Sequence, residues 1–217
     1  ATMVGLVGLP DDDDGDVLVL PGDTPLLRRE TVEALVQHHR RTGAAATVLT
    51  SVVEDPTGYG RVIRSGSGGV EAVVEERDAS PEQRSIDEVN TSIYCFRRSL
   101  LAPALRRVQP DNSQGEYYLT DVVSVLVAAG HTVEAHSAPE TETQGVNDRG
   151  QLAAAEAELR QRTNKALLAD GVTMVDPSVT YVDTTVKLGR DVSLFPGVIL
   201  QGSTTVGDGT EVGPGCR

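Results

Sequence analysis

Asp23 follows Pro21-Gly22 at the end of the apolar run Val17-Leu18-Val19-Leu20. In open α/β sheets, ligands bind beyond the carboxyl ends of the strands, and the Pro-Gly turn lets a carboxylate there face a crevice. Such an acid suits Mg2+, a hard cation that takes oxygen ligands and usually keeps phosphates in its shell. The same acid could instead cap a helix opening at Thr24-Pro25, and position alone leaves both readings open. Gly60 closes the segment Asp55-Pro56-Thr57-Gly58-Tyr59-Gly60-Arg61, where glycines would let backbone amides approach a sugar or phosphate, or simply form a turn. Glu75 follows Val73 and Val74 on an expected strand, placing a carboxylate where sugar hydroxyls could donate to it. Asn90 starts a later strand, and Asn147 sits in Gly145-Val146-Asn147-Asp148-Arg149; each also reads as a turn former or a helix cap.

Other chemistries are missing. Residues 1–150 hold no P-loop and no Gly-x-Gly turn after a strand, and the chain has no Gly-x-Ser-x-Gly elbow. His38 and His39 are adjacent, so on a helix they face different sides, and with His131 and His136 they form no metal-ligand pattern. The run Asp11–Asp14 reads as a solvated loop, since four adjacent carboxylates chelate only on a convergent backbone.

Composition narrows the classes further. The 217 residues carry 32 acidic and 19 basic side chains, a net charge of −13. Residues 1–150 hold 24 acids against 13 arginines, and the two lysines, Lys165 and Lys187, come later. A nucleic-acid binder needs a basic face to displace phosphate counterions, so no nucleic-acid partner is expected. An aromatic content of 3% without Trp also argues against base-stacking platforms. No stretch reaches the roughly 20 apolar residues of a membrane span, and residues 1–9 lack the basic start of a signal peptide. Cys95 and Cys216 have no zinc-ribbon or redox spacing, which points to a reducing cytoplasm.

The elements that must position these residues alternate. Strands are expected at 17–20, 46–53, 61–64, 70–76, 88–96 and 132–137, and helices at 30–41, 100–108 and 120–129. Ser65-Gly66-Ser67-Gly68-Gly69 reads as a hairpin tip, and Ser80-Pro81-Glu82-Gln83 as a capping sequence. This is an α/β class, with a mostly parallel, mixed sheet between helices. Residues 151–168 contain five alanines and no Gly or Pro, which indicates a solitary connecting helix that Gly171 ends.

Beyond that helix the period becomes six. Val182, Leu188, Leu194, Leu200, Val206 and Val212 recur at strict spacing, with Val186, Val192, Val198, Thr204 and Thr210 in phase. Neither a helix nor a hairpin meander keeps such a period. Hexapeptide repeats indicate a parallel β-helix, in which each hexad forms one flat side and the aliphatic points inward.

Taken in order, Leu-Pro-Gly-Asp-Thr-Pro-Leu (20–26), Asp-Pro-Thr-Gly-Tyr-Gly-Arg (55–61), Val-Glu-Glu-Arg-Asp-Ala (74–79), Glu-Val-Asn-Thr-Ser-Ile-Tyr (88–94), Gln-Gly-Glu-Tyr-Tyr-Leu-Thr-Asp (114–121) and Gly-Val-Asn-Asp-Arg (145–149), followed by a linker helix and hexads, carry a resemblance. The chain resembles the bifunctional bacterial N-acetylglucosamine-1-phosphate uridyltransferase and glucosamine-1-phosphate acetyltransferase family. The resemblance implies a Rossmann-like nucleotidyltransferase domain over 1–150, truncated at its start, a linker helix over 151–170, and the first coils of a left-handed parallel β-helix over 171–217.

It also implies roles. Asp23 and Asn147 match the protein ligands of Mg2+; Gly60, Glu75 and Asn90 match contacts to the N-acetylglucosamine moiety, with Gly22 lining the site and Thr120 a further contact. The substrates implied are UTP and N-acetylglucosamine 1-phosphate, giving UDP-N-acetylglucosamine and pyrophosphate. Acetyl-CoA is implied only for a full-length protein, as is a homotrimer. A Gly-rich phosphate loop with a catalytic lysine is expected ahead of Ala1, so the 217 residues alone are expected to turn over little substrate. Two positions depart from the family pattern: Pro21 stands where relatives often carry Tyr or Ser, and Asp148 replaces the second Asn of an Asn-Asn pair. Two alternatives remain open, another sugar-nucleotide pyrophosphorylase bearing a β-helix, and a non-catalytic trimerising remnant.

Overall fold

The computed structural model describes residues 1–9, 15–66 and 68–217, and the chain folds as two units, Ala1–Gly145 and Val146–Arg217. The acidic run at 11–14 and Ser67 of the expected hairpin tip lie outside the described residues.

In the first unit, helix α1 (Thr2–Val7) precedes strand β1 (Asp16–Val19). Helix α2 (Arg29–Thr42) buries Leu35 and ends at Gly43, whose φ of 63° is left-handed and whose N–H donates to His39 O at 3.0 Å. Strand β2 (Ala46–Val52) follows, then the antiparallel pair β3 (Arg61–Arg64) and β4 (Val70–Val74). The short helix α3 (Pro81–Arg84) opens on a reciprocal cap: Ser80 Oγ accepts the Gln83 N–H at 3.2 Å, and Gln83 Oε1 accepts the Ser80 N–H at 2.9 Å. Strand β5 (Glu88–Arg97), helices α4 (Arg98–Leu105) and α5 (Asp121–Ala128), strand β6 (Val133–Ser137) and helix α6 (Glu140–Thr143) complete the unit.

The sheet runs β4-β3-β5-β2-β6, with β1 also paired to β5. Of the expected mostly parallel ladders, only β2–β6 is parallel; β1–β5, β2–β5, β3–β4 and β3–β5 are antiparallel. The reason lies in β5. The strands β1, β2 and β6 share one direction, and β5 runs against them between β1 and β2. A strand buried on both faces has the same apolar texture whichever way it runs.

Helices cover both faces of this sheet. Ile93 and Cys95 pack with Leu35 and Leu49 on one side, while Tyr94 and Phe96 pack with Val122 and Leu126 on the other. Burial of β1 is only partial along its length, short of the two-sided burial its apolar run suggests. At Ser92 the backbone takes φ 61°, beside the register shift between Val48 and Thr50 on β2, so β5 carries a bulge there.

In the second unit, helix α7 (Arg149–Ala169) is capped by Asp148, whose Oδ1 accepts the Gln151 N–H at 2.8 Å. Six two-residue strands succeed β7 (Thr173–Met174): β8 (Tyr181–Val182), β9 (Lys187–Leu188), β10 (Ser193–Leu194), β11 (Ile199–Leu200), β12 (Thr205–Val206) and β13 (Glu211–Val212). They pair in parallel, with Tyr181 beside Ile199, Lys187 beside Thr205 and Ser193 beside Glu211, each three hexads apart. Val182, Val186, Val192, Leu194, Val198 and Leu200 form one core, against which Leu167 of α7 packs. Asn164 of α7 is buried and donates through Nδ2 to Pro177 O at 2.8 Å and Thr180 O at 2.9 Å. No helix among the described residues is long and apolar enough to cross a membrane.

Candidate active site

Four of the residues singled out by sequence meet at one end of the first unit's sheet. Gly60 leads into β3, and its carbonyl accepts the Asn90 N–H at 2.8 Å, which fixes the start of β5 against the Asp55–Arg61 segment. Glu75 stands immediately after β4 rather than within a strand extending to Glu76, so its carboxylate emerges where the ladder has ended. Thr120, at the start of α5, donates from Oγ1 to Glu75 Oε1 at 3.2 Å. A methyl group on Gly60 would lie 3.4 Å from Glu75 Oε2 and 3.2 Å from Val73 Cγ1, so glycine keeps the carboxylate close to the chain.

Burial lifts the Glu75 carboxyl above the usual carboxylate range; the Thr120 hydrogen bond opposes this, and the nearby Asp121 and Asp78 charges add to it. Asp121 is lifted in the same direction, by burial first and by Asp78 second. Beside Glu75 opens a cleft of about 740 Å³ that Thr57, Gly58, Arg77, Arg84, Gln114 and Tyr118 help to line. Its rim is tied down by hydrogen bonds. Glu76 accepts the Gly58 N–H, Arg77 donates to Gln114, and Asp78 Oδ1 accepts the Ser113 N–H at 2.9 Å. A carboxylate, a hydroxyl, two guanidinium groups and backbone amides around such a cleft can bind a polyhydroxylated, anionic ligand. Arg77, Arg84 and Tyr118 escaped the sequence reading. Arg77 and Tyr118 lie within the quoted 74–79 and 114–121 motifs, whereas nothing local marks Arg84.

Gly22 and Asp23 lie beyond the carboxyl end of β1. Register places this at the same end of the sheet, since Val19 pairs with Tyr94 and the chain continues toward the Asn90 end of β5. The helix-cap alternative for Asp23 fails, because α2 begins later and has Arg28 at its N-cap. Asp23 is exposed, and no hydrogen bond or ion pair engages its carboxylate among the described residues. A methyl group on Gly22 would meet nothing within 4 Å, so packing does not demand glycine there. Asn147 belongs to the second unit. Its backbone N–H donates to Gln151 Oε1 at 2.6 Å, while the capping role falls to Asp148.

The residues 1–154 match the nucleotidyl transferase family model. The chain belongs to that family. Among curated relatives it is 46% identical over 202 residues to the Bifunctional protein GlmU of Geobacillus thermodenitrificans, covering 93% of this chain and 44% of that protein. It is 48% identical over 202 residues to the Bifunctional protein GlmU of Corynebacterium efficiens, covering 93% of this chain and 42% of that one. The chain thus spans less than half the length of these relatives. A solved structure of CMP:2-keto-3-deoxy-manno-octonic acid synthetase with CTP aligns at TM-score 0.53 and 17% identity, covering 74% of this chain and 67% of that one, which bears on fold alone. A nucleotidyl transferase must hold an acceptor and neutralise the phosphate charge of the nucleotide. The Glu75 cluster and the arginines beside it are the groups suited to the acceptor. No group of three or more His, Cys, Asp or Glu that could hold a metal occurs among the described residues. Mg2+ does not require one, since it commonly takes one or two protein oxygens and completes its shell with water and phosphate. The unengaged carboxylate of Asp23 and the amide oxygen of Asn147 are donors of that kind.

Proposed function

We propose that the first unit binds N-acetylglucosamine 1-phosphate for uridylyl transfer from UTP, giving UDP-N-acetylglucosamine and pyrophosphate. The observation that carries this reading is the Glu75 carboxylate, half-buried, held by Thr120 and flanked by Gly60 and Asn90. Sugar hydroxyls donate to such a carboxylate, and the Asn90 amide offers a donor and an acceptor to an N-acetyl group. A phosphate oxygen of the sugar attacks the α-phosphorus of UTP, one P–O bond forms, and the bond to pyrophosphate breaks. That reaction needs positioning and charge neutralisation rather than a covalent nucleophile on the protein. Asp23, preceded by Gly22, and Asn147 are the residues proposed to hold Mg2+. When bound, the ion supplies positive charge to the phosphates.

In the same reading, residues 1–150 form the nucleotidyltransferase domain, 151–170 the linker helix, and 171–217 the first coils of a left-handed β-helix. The parallel ladders three hexads apart support that assignment. A homotrimeric, cytoplasmic, bifunctional enzyme that also uses acetyl-CoA is the corresponding proposal for the whole protein, supported by the relatives' shared name.

Titration calorimetry with N-acetylglucosamine 1-phosphate and Mg2+ tests the reading. Saturable binding that weakens by about tenfold or more in Glu75→Ala is expected, because truncation strands the hydroxyls the carboxylate receives. Equal affinity for glucose 1-phosphate would favour another sugar-nucleotide pyrophosphorylase. Absence of any sugar-phosphate binding would remove the reading.

A further inference from the structure

Tyr94 is buried within β5, 1% exposed, with its ring stacked on Phe96 at a centroid distance of 5.3 Å. The ring belongs to the core, but its hydroxyl is out of place there. Tyr94 Oη is fully enclosed and has no hydrogen-bond partner. A buried hydroxyl without a partner destabilises a fold, so such an atom in a well-packed core calls for a reason.

The surroundings of Oη supply one. The Asn90 side chain lies close to Oη, and the charge of Glu75, which lines the cleft, acts on it through space. Asn90 lies close to the hydroxyl, and its Oδ1 already takes the Ser92 N–H at 3.1 Å. That bond is local, made across the bulge in β5, and it leaves the amide's Nδ2 uncommitted. Glu75 spends Oε1 on Thr120. A hydroxyl able both to donate and to accept thus lies close to a half-committed amide and within the field of a half-committed carboxylate.

We propose that Tyr94 is a positioning residue of the sugar site, its hydroxyl orienting the Asn90 amide and the Glu75 carboxylate and gaining its own partner when ligand engages those two groups. This rests on the sugar-phosphate reading of the cleft and adds to it a residue that does not touch the ligand. Side-chain networks of this sort are worth more than their separate bonds, and double-mutant cycles apportion them.

The test is Tyr94→Phe, which keeps the ring and its stacking and removes only the hydroxyl. The dissociation constant for N-acetylglucosamine 1-phosphate is expected to rise about five- to tenfold, as loss of one hydrogen bond's worth of orientation requires. The melting temperature is expected to hold or rise, since the deleted atom has no partner in the unliganded fold. In an Asn90→Ala background the same substitution is expected to change affinity less than twofold, because the amide it orients is gone. An unchanged dissociation constant in Tyr94→Phe, a lowered melting temperature, or full additivity with Asn90→Ala would each overturn the proposal. The wild-type arm separates the two readings. If the wild-type protein binds no sugar phosphate, both fall together; if it binds and Tyr94→Phe binds equally well, only the role of Tyr94 falls.

Discussion

The Thr31 hydroxyl donates to the carboxylate of Glu142, joining the first turn of α2 to the short helix α6 across 111 residues of sequence. Glu142 is only 7% exposed, and Arg28 Nε lies 3.4 Å from its other oxygen. The two partners are unequal. Arg28 is half exposed, so its attraction is screened, whereas the hydroxyl bond lies largely out of water. Glu142→Ala is therefore expected to destabilise the first unit by about 1–2 kcal/mol, the cost of losing a partly buried, charge-assisted hydrogen bond. Glu142→Gln, which retains an acceptor for Thr31, is expected to cost about half as much. Urea midpoints of the two variants check this. Equal losses would mean that charge, not the hydrogen bond, holds α2 to α6.

Glu75 gives the cleft a pH dependence. Because burial raises its folded-state pKa above the usual value of 4.5, the carboxylate takes up a proton at a higher pH than a solvated glutamate. Sugar hydroxyls donate to the ionised form. Affinity for the sugar phosphate is expected to be full near neutrality and to fall as pH drops toward that raised pKa. In Glu75→Gln affinity is lower at pH 7 and falls less steeply down to pH 5, the remaining slope being that of the ligand's own phosphate. Titration calorimetry at several pH values reads both curves, and parallel curves would exclude Glu75 as the titrating group.

Ser92 sits at φ 61°, in the left-handed region that costs a side chain about 1 kcal/mol or more. It is exposed, so no packing is lost with its hydroxymethyl group. Ser92→Gly is expected to stabilise the protein by about 0.5 kcal/mol, the relief of strain being partly offset by a more flexible unfolded chain. A lowered thermal midpoint would show that the serine contributes something other than strain.

Much of this architecture is legible in the sequence. Strict hexad spacing marked the aliphatics that now share one core in the second unit, because few structures keep a period of six. The glycine after α2 and the Ser80–Gln83 cap were legible for a similar reason, each being local chemistry with one dominant geometry. What stayed hidden was non-local. The run of β5 reads as a strand in either direction, so its antiparallel entry between β1 and β2 had no signature. Glu75 could be named as a candidate, but its hydrogen bond and its charged neighbour come from Thr120 and Asp121, more than forty residues further on. The orphan hydroxyl of Tyr94 was invisible, since an aromatic at a core position needs no second explanation.

His39 couples stability to pH. It is 2% exposed, its Nδ1 lies 2.9 Å from Thr47 Oγ1, and its Nε2 is 3.5 Å from Asp16 Oδ1. Burial lowers its pKa below the ordinary 6.5 and outweighs the raising effect of Asp16; Arg97 and Arg40 push the same way as burial. The folded state therefore holds this imidazole neutral where the unfolded chain would protonate it. That contribution to stability is complete above about pH 6.5 and is lost as pH falls through the lowered value. His136, also lowered mainly by burial, acts with the same sign. Urea midpoints are expected to drop between pH 7.5 and 5.5 in the wild type and to drop less, though still measurably, in His39→Gln. An identical drop would assign the whole effect elsewhere.

Gly189 and Gly207 occupy equivalent places in the hexad pattern, each directly after an inward aliphatic, and within these 217 residues a further coil stacks beside Gly189 alone. A methyl group on Gly189 would collide with Asp208, at its Oδ1, at its amide N (2.6 Å) and at its Cα (2.9 Å). The first of these atoms could move only by releasing the Arg190 N–H, which it accepts at 2.8 Å. The other two are backbone of the next coil and cannot step aside. On Gly207 the nearest atom to an added methyl is Thr210 Oγ1 at 4.0 Å, an ordinary contact. Gly189→Ala is thus expected to destabilise the second unit by about 2–3 kcal/mol through overpacking, while Gly207→Ala stays within about 0.5 kcal/mol of wild type. Hydrogen exchange at the Lys187 and Gly189 amides, which bond to Thr204 and Val206 of the neighbouring coil at 3.0 and 2.9 Å, reports the difference locally. Protection lost in the first variant and kept in the second is the expected pattern. Equal protection would mean that the coils can separate enough to admit a methyl group, and that the close approach at Gly189 does not limit their stacking.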